Sequence, residues 1–205
     1  MCWNASVSIK TFFLGAAGII FGSIYGGLTI PTILFYSSIV FMQLIEYIIW
    51  TYGSNKTVNY YTSIAASLLL GLQPIASILT FSKSTFIPML AYVILMFLYK
   101  SIDIYAHKDN LMEMYRMYKA PNGHLVWNWI QPDIYTAIGL TIYFIFLLGP
   151  VILTKKWDSI FIVLLTLLLS VYTYYKYNTW GSMWCWIVSI IVIVICAQIV
   201  YKYVV

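Results

Sequence analysis

The sequence predicts an all-α integral membrane protein: a bundle of seven transmembrane helices, with one long segment between the fourth and fifth. Three observations carry this. Hydrophobic residues make up 62% of the 205-residue chain and charged residues only 8%, a balance that could not keep a soluble surface wet. The apolar runs are continuous instead of alternating, which indicates helices and not a barrel. They recur at about the 20-residue length that a bilayer crossing needs. Residues 1–205 read as a single polytopic domain whose first partner is the lipid bilayer.

The first span is placed at 11–25. Gly15, Gly18, Gly22 and Gly26 line one of its faces and allow close backbone approach, so this face is expected to pack on a neighbouring helix or to carry a homo-oligomer contact. Lys10 alone makes too weak a basic region for a cleavable signal. Pro31 opens the second span, 31–52, in a first turn where proline is tolerated. A polar loop at 53–59 leads to the third span, 60–81. There Pro74 removes a backbone donor, frees a carbonyl one turn back and kinks the helix, with the Gln73 amide beside it. Such breaks line substrate sites in some transporters and are only structural elsewhere. The fourth span, 86–99, is short.

The segment 100–133 is the one long extramembrane stretch. Its first part mixes charges with Tyr and Met and suits an interfacial amphipathic element. Pro121, Asn122 and Gly123 are a strong turn signal, followed closely by His124, Trp127, Asn128 and Trp129. A β-hairpin cap lying over one mouth of the bundle is expected, with Trp127 and Trp129 alternating along its second strand. The fifth span, 134–154, is broken late by Gly149 and Pro150. The sixth runs over 159–174, followed by an aromatic belt around Lys176, and the seventh from 180 to about 201. Seven spans put the termini on opposite sides. The N-terminal side holds seven basic residues against four, which favours a cytoplasmic N-terminus.

Glu46 is the only acid well inside an apolar run. A carboxylate there costs about 3 kcal/mol on insertion scales, so something in the protein must face it. On a helix, Tyr36, Gln43, Glu46, Tyr47 and Trp50 share a face. Gln73, His124, Trp127 and Asn128 are further polar groups that apolar packing does not explain, as are Trp3, Asn4, Ser182 and Cys185. They are expected to converge from separate segments on one internal polar site around Glu46, with Pro74, Gly149 and Pro150 as helix breaks. The competing reading is structural: Gln43, Gln73 and Glu46 satisfy one another and glue helices together.

The opening Met1-Cys2-Trp3-Asn4-Ala5-Ser6 begins a series of landmarks. It continues through Gln43 with Glu46, Gln73-Pro74, the His124, Trp127, Asn128 unit, Gly149-Pro150 and Trp184-Cys185. Together these resemble a family of small polytopic membrane proteins of bacteria and large DNA viruses that begin Met-Cys-Trp-(Ser or Asn)-Ala. The resemblance implies the fold and the candidate residues but no reaction. It also implies an acid where this chain has Asn128, so a role needing charge there does not carry over.

Several functions are excluded or disfavoured. The net charge of +5 is thinly spread, without the basic cluster that nucleic acid requires. Cys2, Cys185 and Cys196 make neither a disulfide framework nor a metal spacing. Only His107 and His124 are present, too few for a zinc-dependent intramembrane hydrolase. No spacing marks Cys2 as a thiol nucleophile. The seventh span has no lysine before Lys202, which excludes an internal retinal Schiff base. No metal and no cofactor is expected. What stays is a small carrier or channel for an ion or solute, with Glu46 as its coupling or selectivity group. The alternatives are a structural or assembly protein of a viral or host-derived membrane and, third, an intramembrane enzyme.

Overall fold

The computed structural model describes residues 4–25 and 27–204; the expectations on Cys2, Trp3 and Gly26 therefore lie outside the described residues. The helices are α1 (Ala5–Ile24), α2 (Ile30–Tyr52), α3 (Lys56–Phe81), α4 (Phe86–Ala106), the single turn α5 (Leu111–Met114), α6 (Ile134–Leu153), α7 (Trp157–Tyr174) and α8 (Trp180–Val204). Among the described residues seven of these, all but α5, are long and apolar enough to cross a membrane.

Three boundaries differ from the sequence reading, each for a local reason. α1 begins six residues before the expected 11, because the Asn4 side chain caps it by accepting from Val7 N at 3.0 Å. α3 begins at Lys56 instead of 60, since Asn55 Oδ1 accepts from Thr57 N (3.0 Å) and Val58 N (3.2 Å). The polar loop 53–59 is thus mostly helix. α4 continues past 99 to Ala106. Its first charge, Lys100, pairs with Asp103 at 3.3 Å one turn on, so the charges support the helix instead of ending it. The connecting segment is correspondingly shorter, starting near His107, and the amphipathic stretch becomes the end of α4, a 3-10 turn at Lys108–Asn110 and α5.

α2 is the central helix, packed by α1, α3 and α8; α3 leans on α6, and α4 and α7 complete the outside. The glycine face of α1 is filled from within the chain. A Cβ at Gly15 would lie 2.7 Å from both methyls of Val40, and one at Gly18 would lie 3.1 Å from Cβ of Cys196. Gly15→Ala is therefore expected to destabilise the protein by roughly 1–3 kcal/mol, because Val40 is stiff and buried and cannot yield. Unfolding in detergent micelles measures this, and an unchanged midpoint contradicts it. α4 and α7 bury little: Tyr92 and Asp103 on one, Ile160 and Ser170 on the other.

Neither proline interrupts its helix: α3 and α6 continue through Pro74 and Pro150. In each case the carbonyl three residues earlier accepts a hydroxyl from a neighbouring helix. Tyr92 Oη donates to Gly71 O at 2.8 Å, and Ser77 Oγ donates to Leu147 O at 2.7 Å. Proline deprives the carbonyl four residues earlier, Leu70 and Phe146 here, of its usual donor; the two hydroxyls bond the next carbonyl along and so tie α4 to α3 and α3 to α6 beside each proline.

Between α5 and α6 two short strands, β1 (Met117–Lys119) and β2 (Leu125–Trp127), pair antiparallel with Tyr118 opposite Val126. Ala120 to Gly123 turn the chain, with Gly123 N donating to Ala120 O at 2.9 Å. Gly123 has φ +84°, which only glycine adopts cheaply. The hairpin is bolted to the bundle by polar bonds. Asn59 of α3 acts as a surrogate strand: it donates to Met117 O at 2.8 Å and accepts from Met117 N at 2.9 Å. Ser182 of α8 donates to Leu125 O at 3.0 Å, and Asn122 donates to Thr179 at 2.9 Å. Beneath, Met117, Leu125, Trp127 and Trp129 join Met42, Ile49 and Cys185 in one apolar core.

Candidate functional site

Gln43 and Glu46 face inward, one turn apart on α2, and both are fully buried at 0% exposure. Their surroundings follow from the packing of α1 and α8 on α2. Gly15 meets Val40, and the Phe12 and Phe41 rings lie 5.4 Å apart, so α1 runs antiparallel to α2. That register brings Ser8, also fully buried, to the level of Glu46. From α8, Trp186 Nε1 donates to Thr11 at 3.2 Å. Glu46 is not left without a partner. Gln43 differs. Among the described residues neither its Oε1 nor its Nε2 has a hydrogen-bond partner, and the same holds for Ser8 Oγ.

Such orphans are uncommon. Buried amides are satisfied in the great majority of cases, because an unmade bond costs about 1–3 kcal/mol. The other buried amides of this chain obey the rule. Gln73 accepts from the Tyr143 hydroxyl at 2.5 Å and donates to Ser38 O at 3.3 Å. Asn59 makes four bonds, to Met117 twice, to Gly53 O and from Ser63.

The expected convergence on Glu46 is thus only partial. Gln73, with Tyr143 and Ser38, forms a separate seam between α3, α6 and α2. His124 is buried in the hairpin, edge-on to Tyr174 with ring centroids 5.3 Å apart. Trp127 stacks on Trp129 at 5.7 Å and 10°, but β2 ends at Trp127, so Trp129 stands in the turn beyond the strand and the expected alternation of the two along one strand is not formed. Asn128 lies outside the bundle core, where it donates to Glu113 O and accepts from Gln131, both at 2.6 Å. Tyr47 and Trp50 are half-buried on the α2 stripe, and Lys119 sits 5.9 Å over the Trp50 ring. A Cβ added at Gly149 would meet nothing within 4 Å, so no close approach requires a glycine there. Among the described residues no three His, Cys, Asp or Glu side chains sit together as metal ligands would.

Two cavities lie deeper. One of about 150 Å³ opens between α2, α3, α6, α7 and α8, and a smaller one of about 80 Å³ lies beneath Trp127 and Trp129. Tyr143, Trp184 and Cys185 line both and so form the partition between them. Sequence reasoning did not single out Asn59, Ser77, Tyr92 or Tyr143 as functional positions. Comparison with protein-family models, with curated proteins and with solved structures finds no match to this chain.

Proposed function

We propose that the chain is an integral, multi-pass membrane protein that passes a small ion or solute, with Gln43 and Glu46 as its internal polar site. One observation carries the reading: among the described residues the fully buried Gln43 amide makes no hydrogen bond, one turn from the fully buried Glu46. A protein that gives the Asn59 and Gln73 amides hydrogen-bond partners keeps an orphan carboxamide most cheaply when water or a passing ligand completes it. The glue reading required Gln43, Gln73 and Glu46 to satisfy one another, and Gln73 is instead taken by Tyr143 and Ser38. On this reading the hairpin is a lid over the mouth nearest Glu46, and the N-terminus faces the cytoplasm.

A second reading, a structural membrane protein, is favoured by a different observation: neither bundle cavity is lined by Gln43 or Glu46. Reconstitution separates the two. Glu46→Gln keeps the shape and removes the charge. In proteoliposomes it is expected to abolish a pH-dependent flux of protons, a common cation or an anion that the parent protein carries, at nearly unchanged thermal stability. No flux from either protein, with a clear change in stability, makes the chain structural.

A further inference from the structure

The larger cavity makes a case of its own, independent of Glu46. We propose that it is a binding site for a neutral molecule of about benzene's size, largely apolar and carrying one hydrogen-bonding group. Size is the first argument. The cavity is partly open and measures about 150 Å³, the volume of an apolar cavity that takes up benzene or xenon. Charge is the second. No Asp, Glu, Lys, Arg or His lines the wall, so an ion would lose its hydration with no counter-charge to replace it. Its apolar wall is built by Phe35, Ile39, Leu147, Trp184 and Val188.

The third argument is the polar end. Gln73 and Tyr143 both line the cavity and are bonded to each other, yet neither is used up. The Tyr143 oxygen donates its proton to Gln73 and can still accept. Gln73 Nε2 gives one proton to Ser38 O and has a second to offer. A hydroxyl or amide on the ligand finds an acceptor and a donor side by side. Ligand orientation is thereby set: polar group toward the α3–α6 seam, apolar body toward α7 and α8.

A photoreactive alkanol, 3-azioctanol, tests this on the full chain in detergent micelles, with adducts mapped by mass spectrometry. The expected result is saturable labelling of Tyr143 or Trp184, displaced by hexanol and absent from Val188→Trp, whose indole fills the cavity. Tyr143→Phe should weaken displacement by hexanol about fivefold while leaving displacement by benzene unchanged, because only the hydroxyl contact is lost. The hexanol competition uses the unsubstituted protein, so it stands even if a variant fails to fold. Labelling confined to outward residues such as Phe97 and Leu168, or labelling of Trp184 displaced by phospholipid and not by hexanol, overturns the assignment.

Discussion

Asn59→Leu is expected to cost about 3–5 kcal/mol and to release the hairpin from the bundle. The reasoning is an inventory of bonds. The Asn59 amide makes two bonds with the backbone of Met117, donates to Gly53 O at 3.0 Å, and accepts from Ser63 at 3.2 Å. A leucine fills the same space but leaves the Met117 N–H and C=O buried with no partner, each at about 1–3 kcal/mol. Ser63→Ala, which removes only the last bond, should cost about 1 kcal/mol. Asn59→Asp keeps both acceptor bonds and loses both donated ones, so it should fall between them in hairpin order even though it buries a charge. The measurement is denaturant unfolding in micelles together with amide exchange over residues 115–129. Exchange in that segment at the parent rate in Asn59→Leu means the hairpin is held by something else.

Trp127→Ala is the second large effect, expected at about 3–5 kcal/mol from lost packing and the void it leaves. Trp127 is 3% exposed, is stacked on Trp129, and rests on Gly181 of α8, where an added Cβ would come within 3.2 Å of its ring. Among the described residues its Nε1 has no hydrogen-bond partner, so the indole works here by shape and not by its N–H. Trp127→Phe, which keeps a ring and drops that N–H, should therefore recover more than half of the loss. A Phe variant as damaged as the Ala variant would show that the indole N–H matters, through water or a ligand, and would return Trp127 to the list of binding residues.

The bundle was legible because apolar length alone decides it, and each of the seven long apolar helices overlaps a segment that hydropathy picks out. The ends were less legible, because caps and ion pairs set them. Asn55 looks like loop in the sequence but is the cap that starts α3, and Lys100 looks like an exit from the membrane but Asp103 keeps it in the helix. Asn59 was lost for the same reason, as a polar residue assigned to a loop. The burial of Glu46 could be read from its position as the one acid in an apolar run. The fate of Gln73 could not. Its partners are a backbone carbonyl 35 residues away and a tyrosine hydroxyl 70 residues away, groups with no pattern of their own. Asn128 misled likewise: its neighbour His124 is buried against Tyr174, while Asn128 itself bonds the Glu113 carbonyl outside the core.

The central claim is that Gln43 is kept for a ligand and not for the fold, and Gln43→Met tests it most directly. Methionine matches the length and flexibility of glutamine and carries no group that needs a partner. Removing an unsatisfied buried amide should raise stability by about 1–3 kcal/mol. The same change should abolish flux in proteoliposomes. A gain in stability with loss of flux is the predicted result. A loss of stability with flux unchanged would contradict it and make Gln43 part of the scaffold.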